Sequence, residues 1–247
     1  VTDQPKPSVE PSDVERQFWN TWNARFRETT PVGSVSERQG IQIGQWLSRS
    51  GRSDLRILDF GCGSGWLSGR LTPFGRVTAI DLSDEVVTRA RARFPEVNFL
   101  VGDVLTVPLE SGSFDAVVSL EVLSHVADQP AYLARAANLL RPGGELLLAT
   151  QNRFVLQRLD GVSPVAPGQR RRWVGHLELR RLLAPHFRVE ELTSLHPTGR
   201  RGILRLVNSY RLERLLLRLL SLDRINAMKE RLLLGHTLMV RATKRTR

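Results

Sequence analysis

The chain has 247 residues, of which 41% are hydrophobic, enough for one sizeable core and suited to one α/β domain with extra helices. Its formal charge of +11 is unevenly spread: residues 170–247 hold 19 Lys and Arg against 6 Asp and Glu, whereas residues 1–169 hold 17 against 19. Any anionic partner is therefore assigned to the C-terminal third. The single cysteine, Cys62, excludes an internal disulfide and a multi-cysteine metal site, and no metal site is expected. No apolar run is long enough to span a membrane, and the N-terminus lacks the basic start and apolar stretch of a secretory signal. A cytoplasmic setting, at most peripheral to a membrane, is the default expectation.

Residues 1–9 are polar and proline-bearing and read as a disordered tail. A helical cap follows over 10–50. Its first helix starts near Pro11-Ser12-Asp13, with Val14, Phe18, Trp22 and Phe26 at helical spacing, and its second spans Ser36 to Ser48. The main domain occupies 51–247. Leu55–Phe60 is a short apolar run suited to a buried parallel strand. A helix over Gly65–Leu71, a strand over Arg76–Ile80, a helix over Ser83–Arg93 and a strand over Val97–Val101 come next. Phe114–Leu120 is the fourth strand, Gln129–Leu140 a helix ended by Arg141-Pro142-Gly143-Gly144, and Glu145–Thr150 the fifth strand. This alternation predicts a parallel sheet with helices on both faces.

Beyond Asn152 the pattern loosens. Residues Gly161–Gly168 read as a loop, Leu177–Leu183 as a short helix and Phe187–Leu192 as a sixth strand. Ile203–Leu234 is a leucine- and arginine-rich helical insertion, at about 200–235, broken near Ser221-Leu222-Asp223. His236–Lys244 has strand character and closes the sheet.

The sharpest motif is Asp59-Phe60-Gly61-Cys62-Gly63-Ser64-Gly65, between the first strand and the first helix of the alternating region. Glycines there let the backbone turn tightly and approach a ligand. Trp66 occupies the place where a dinucleotide fingerprint needs a third small residue, and no Gly-Lys-Ser/Thr follows to make a phosphate loop. Asp81 ends the second strand, about 20 residues on, where a carboxylate can accept two ribose hydroxyls. Asp103 follows the third strand; its carboxylate suits an adenine amino group and the Val104 N–H a ring nitrogen. Each has a plain alternative: a tight βα turn, a helix cap and a turn former.

In order and spacing, the glycine motif, Ile80-Asp81, Gly102-Asp103-Val104, the run Phe114–Val126 and Leu139-Leu140-Arg141-Pro142-Gly143-Gly144 form one constellation. With it, residues 36–150 resemble the class I S-adenosylmethionine methyltransferases, within the group that includes the ubiquinone-biosynthesis O-methyltransferases. The resemblance implies a Rossmann-like, doubly wound, seven-stranded sheet, mostly parallel with one late antiparallel strand. It implies S-adenosyl-L-methionine as cofactor. Asp59 with Gly61, Cys62, Gly63, Ser64 and Gly65 would hold the methionine part, Asp81 and Leu82 the ribose, and Asp103 and Val104 the adenine. Glu121 and Val122 would lie beside the sulfonium, and Arg38 would reach the methionine carboxylate.

His125, after the fourth strand, is the leading candidate base, with Glu121 beside the reacting centre; a structural hydrogen bond is the alternative for His125. His196 and His176 are weaker candidates, while His186 and His236 read as structural. Phe18, Trp19 and Trp22 are candidates for an acceptor lid or for core packing. Arg170-Arg171-Arg172 suits an anionic substrate or a solvated loop. No Asn/Asp-Pro-Pro-aromatic sequence follows the fourth strand, and Cys62 lies in the wrong loop for a base-attacking thiolate, so nucleic acid is disfavoured as acceptor. The reading is methyl transfer to a small, lipophilic or aromatic molecule, at oxygen before carbon or nitrogen. An RNA methyltransferase using the basic third, and a non-catalytic cofactor-binding or membrane-surface module, are the alternatives. In the insertion, Leu212, Leu215, Leu216, Leu219 and Leu220 make an apolar stripe, with Arg211, Arg214 and Arg218 on another face. The stripe suits a lid, a second subunit or an anionic membrane surface.

Overall fold

The computed structural model describes residues 13–27, 32–158, 162, 164–197 and 201–246. The tail expected over 1–9, and Pro11 and Ser12 of the expected helix start, lie outside the described residues. Two N-terminal helices, α1 (Asp13–Phe26) and α2 (Ser34–Ser48), precede β1 (Leu55–Phe60), α3 (Trp66–Leu71), β2 (Gly75–Asp81), α4 (Asp84–Arg93), β3 (Asn98–Val101) and β4 (Phe114–Leu120). Then come α5 (Gln129–Leu139), β5 (Leu140–Gln151), α6 (Arg153–Leu156), α7 (His176–Leu183) and β6 (Phe187–Pro197). The insertion forms α8 (Ile203–Val207), α9 (Tyr210–Leu216) and α10 (Leu222–Arg231), and β7 (Gly235–Lys244) follows.

The strands make one seven-stranded sheet in the order β3-β2-β1-β4-β5-β7-β6. Pairings from β3 through β5 are parallel, and β7 runs antiparallel between β5 and β6. This is the Rossmann-like sheet with one late reversed strand that the resemblance implied. Alternate side chains of each central strand enter two cores. Leu58, Val117, Leu146 and Leu148 pack with Tyr132 and Leu133 of α5 and Leu179 of α7. Ile57, Val118, Leu147 and Ala149 pack with Trp46 of α2, Leu67 of α3 and Val87 of α4. Burial on both faces is why these strands read as continuous apolar runs.

Beyond shifts of one or two residues at other element ends, several elements differ from the sequence reading. Strand β5 begins at Leu140, so Arg141-Pro142-Gly143-Gly144 is a bulged entry to the strand: Leu140 pairs with Phe114 before the register shifts to Glu145 and Ala116. Strand β6 continues past Leu192 to Pro197 because every residue of that extension but His196 finds a partner on β7. The insertion is three short helices with a turn at 217–220, capped by the Ser209 and Ser221 hydroxyls, which accept from the Leu212 and Arg224 N–H groups. Among the described residues no helix is long and apolar enough to cross a membrane.

The order of strand addition reverses at the β1–β4 pair: from β1 successive strands run outward through β2 to β3, and from β4 outward the other way to β5. Loops at the C-terminal ends of these strands diverge there and leave a crevice, the place where ligands bind in open α/β sheets.

Candidate active site

A cavity of about 700 Å³ fills that crevice. Its floor is the β1–α3 turn. Gly61, Gly63 and Gly65 all have positive φ, at 90°, 51° and 74°. A Cβ on Gly61 would stand 2.4 Å from Val122 Cγ2, and one on Gly65 would stand 2.8 Å from Phe99 Cζ. The turn therefore needs glycine for both its backbone angles and its close packing. Gly61, Cys62, Gly63 and Ser64 line the cavity, whereas Gly65 starts α3 beneath it.

Asp81 lies at the end of β2 and lines the same cavity. Its carboxylate accepts from the Gly63 N–H at 2.7 Å and the Ser83 N–H at 2.9 Å, which ties the glycine turn to the β2 end. Burial pushes its pKa up, and those backbone donors oppose the shift. A carboxylate oxygen has two lone pairs, so each still has acceptor capacity for a ligand hydroxyl. Leu82, Gly102, Asp103 and Val104 form the next wall, and Asp103 accepts from the Leu105 N–H at 2.9 Å. Sequence reasoning selected these residues, and the fold brings them around one space.

Besides Gly65, two selected residues lie elsewhere. Asp59 is buried behind the turn, outside the cavity wall, and accepts the Ser68 hydroxyl at 2.6 Å. Burial raises its pKa to about 7, with neighbouring Asp81 adding to the shift and Ser68 opposing it. It anchors α3 to β1. Arg38 corrects the expectation of a methionine-carboxylate ligand: it points off α2 toward the insertion, where it pairs with the largely buried Glu230 at 2.8 Å. Its neighbour Gln39 faces the cavity, so a helical step of one residue carries Arg38 away.

A cation that does line the cavity on the Glu121 side is Arg27, just beyond α1, which donates to Ser36 Oγ at 2.9 Å and lies over the Trp22 ring. Burial lowers its pKa and Glu121 opposes that shift. Glu121, directly after β4, is one of three non-glycine residues with positive φ among the described residues, at 62°. Such a backbone costs about 1–3 kcal/mol and persists where its surroundings impose it. Glu121 Oε1 accepts from Gln39 Nε2 and from Thr237 Oγ1 at 2.9 Å, while the buried Oε2 has no partner among the described residues. Burial raises the Glu121 pKa. An unpartnered carboxylate oxygen in this position fits a cationic ligand group.

His125 follows in a short 3-10 turn, Leu123–His125. Its Nδ1 lies 2.6 Å from the Arg170 carbonyl, and its ring meets Trp19 edge-on at 4.7 Å. A carbonyl only accepts, so Nδ1 carries the proton and Nε2 of the neutral ring is left as acceptor. Burial lowers the His125 pKa. The strand of chain around Arg170 is itself held in place: the Arg172 N–H donates to Ser124 O at 2.8 Å, and buried Gln129 Nε2 donates to both Leu123 O and Arg172 O at 2.9 Å. Arg170 also pairs with Glu15 of α1 at 3.2 Å.

Above this floor the walls are aromatic. Trp19, Trp22 and Trp173 line the cavity, as do Arg170 and Arg171, whereas Phe18 and Arg172 do not. Arg171 lies over the Trp173 ring and Arg172 reaches Glu178. His236, read from the sequence as structural, also lines the cavity, whereas His176, His186 and His196 lie outside it. Cys62 is buried and its thiol pKa is pushed well up by burial, which suits packing. Among the described residues no cluster of three or more His, Cys, Asp or Glu side chains is arranged to hold a metal. Gln39, Thr237 and Arg27 were missed because each reaches Glu121 from a distant part of the chain with no motif around it.

This sheet order, with a glycine turn and two strand-end carboxylates around one crevice, is the arrangement implied by the resemblance to the class I S-adenosylmethionine methyltransferases. Residues 58–148 match the family model described as a methyltransferase domain. The chain is 46% identical over 113 residues to the ubiquinone biosynthesis O-methyltransferase of Xanthomonas oryzae pv. oryzae; the match covers 42% of this chain and 47% of that protein. The chain thus spans about half the length of the curated relatives it matches. Among solved structures, it is similar to the N-methyltransferase NodS from Bradyrhizobium japonicum WM9 in complex with S-adenosyl-L-homocysteine, at 17% identity and TM-score 0.65, over 95% of this chain and 100% of that one. It is similar also to 1,6-didemethyltoxoflavin-N1-methyltransferase from Burkholderia thailandensis, at 21% identity and TM-score 0.64, over 98% and 94%. The [4+2]-cyclase SpnF shares the fold at 17% identity and TM-score 0.61, over 97% and 100%. These three likenesses concern the fold alone.

Proposed function

We propose that the chain transfers a methyl group from S-adenosyl-L-methionine to a hydroxyl of a small aromatic or lipophilic molecule. S-adenosyl-L-methionine supplies a methyl group already activated on a sulfonium, leaving the protein chiefly to position the acceptor and remove its proton. The glycine turn gives backbone groups for the methionine part. Asp81 accepts the ribose hydroxyls and Asp103 with the Val104 N–H takes the adenine edge. The unpartnered Glu121 Oε2 and the nearby Arg27 suit the ammonium and carboxylate of the amino-acid end.

The observation that carries the reading is His125 in the cavity wall with its Nδ1 held by the Arg170 carbonyl. The ring is neutral near pH 7, and Nε2 can take the proton of an acceptor hydroxyl. Trp19, Trp22 and Trp173 supply flat apolar walls suited to an aromatic acceptor, and they exclude water around the reacting atoms.

Calorimetry with S-adenosylhomocysteine tests the cofactor part: about micromolar binding is expected, and no heat at any concentration would end the reading. Incubation with the methyl donor and a panel of phenols, amines and carbon acids tests the acceptor part. A one-methyl mass gain on a phenol supports the proposal, and a gain confined to amines or carbon acids replaces hydroxyl transfer with that chemistry.

A further inference from the structure

Nine of the sixteen large hydrophobic side chains that are exposed among the described residues lie between Ile203 and Leu232. Leu219 is 84% exposed, Tyr210 75%, Leu206 68% and Leu232 67%. Such a concentration in one excursion of the chain is unlike the scattered single residues of an ordinary surface. Interleaved with them are Arg201, Arg205, Arg211, Arg214, Arg218, Arg224 and Arg231, every one exposed. Of the acids in the same span, Glu230 is buried against Arg38, Glu213 reaches Lys229 at 3.6 Å, and Asp223 alone is exposed. The outward surface is both apolar and strongly positive.

We infer that the α8–α10 insertion is a docking surface for an anionic lipid bilayer. Charge complementarity selects this occupant. A second copy of the chain would bring the same arginines against one another, a cost that bilayer phosphates remove. Leucines and a tyrosine enter the boundary between headgroups and acyl chains, and the arginine stems lie along it with their guanidiniums at the phosphates. The helices are too short to span a bilayer, so contact is in its plane. The excursion ends at the cavity. Asn152 Nδ2 donates to Leu233 O and Gly235 O at 2.9 Å, and the next residues, His236 and Thr237, line the cavity wall. Bilayer contact there presents the cavity mouth to a lipid-dissolved acceptor.

Co-sedimentation of the full chain with vesicles tests this without any methyl donor, so its failure is distinct from failure of the methyltransferase reading. Vesicles of phosphatidylcholine with phosphatidylglycerol should sediment the protein, and pure phosphatidylcholine vesicles should do so far less. Replacing Arg211, Arg214 and Arg218 by Gln should weaken binding to the anionic vesicles roughly a hundredfold. Leu215→Ser with Leu219→Ser should weaken it at least about tenfold. All five positions are exposed, so an unchanged melting temperature confirms that each variant is folded. Equal binding to neutral vesicles, or anionic-vesicle binding indifferent to both variants, overturns the inference. So does absence of vesicle binding, whether light scattering shows a dimer that Leu219→Ser dissociates or filter assays show RNA capture lost with the three arginines.

Discussion

Asp81 accepts from the Gly63 N–H of the glycine turn with one carboxylate oxygen and from the Ser83 N–H of its own loop with the other, and it lines the cavity with lone pairs to spare. Asp81→Ala should therefore weaken S-adenosylhomocysteine binding by about tenfold or more, since charge-assisted bonds of this kind contribute well over 1 kcal/mol; equal calorimetric affinities would remove the ribose assignment. Asp59 has a different consequence. Its pKa rises from an ordinary 3.8 to about 7 on folding. Between those values the folded state holds a proton that the unfolded chain has released, so this group's contribution to stability falls as pH rises from about 4 to about 7. Asp59→Asn keeps the acceptor for Ser68 and removes the ionisation. Its melting temperature should lose less than the wild type over that pH range; parallel profiles would contradict the burial argument. For His125, the lowered pKa keeps the ring neutral down to below its ordinary 6.5. Activity on a hydroxyl acceptor should fall in acid through a pKa below that value, and His125→Gln should lower kcat about 10² to 10⁴-fold with cofactor affinity intact. A variant with unaltered kcat would return His125 to a structural role.

The elements show what a chain can disclose about itself. Gly75, where β2 begins, has φ +150°, and a Cβ there would stand 2.0 Å from the Leu55 carbonyl oxygen on β1. Gly75→Ala should destabilise the protein by about 3 kcal/mol or more, read as a lowered urea midpoint, because backbone rather than a flexible side chain is in the way. The β1–α3 turn was legible because its glycines, its flanking strand and its helix are contiguous, and local chemistry dictates them. Asp81 and Asp103 were legible because each ends an apolar run. Arg27, Gln39 and Thr237 were not, since Gln39 and Thr237 reach Glu121 across 82 and 116 residues of chain. Composition could not distinguish Arg38 from Arg27 as the arginine facing Glu121; the helical phase of α2 and the carboxylate of Glu230 turn Arg38 away. The Arg141–Gly144 run looked like a helix stop, and it is one, but it is also the bulge of a strand entry, lying between the Leu140–Phe114 and Glu145–Ala116 pairs. Pairing of that kind is non-local and leaves no local signature.

At the scale of the molecule, the split between a near-neutral front and a basic rear becomes a split of tasks. The glycine turn and both carboxylates lie within residues 58–148, the stretch that matches the methyltransferase domain family. Much of the rear's charge is neutralised within the fold: Arg241 bridges Glu145 and Glu191, Arg170 meets Glu15 and Arg172 meets Glu178. The arginines of the insertion remain at the surface. Salt should therefore alter any surface association far more than it alters folding. Raising ionic strength should abolish vesicle sedimentation while shifting the melting temperature little; a large fall in melting temperature with salt would mean that the internal pairs carry more of the fold than their exposure suggests.

Because β7 runs opposite to its neighbours, β6 leaves the sheet and β7 re-enters it at one rim, with Pro197 beside Gly235. Whatever sequence joins those two points must emerge beside the cavity mouth, however long it is. That junction is a natural graft point. A different excursion spliced between Pro197 and Gly235 would change what the cavity mouth meets, with the stretch that matches the methyltransferase domain family left as it stands.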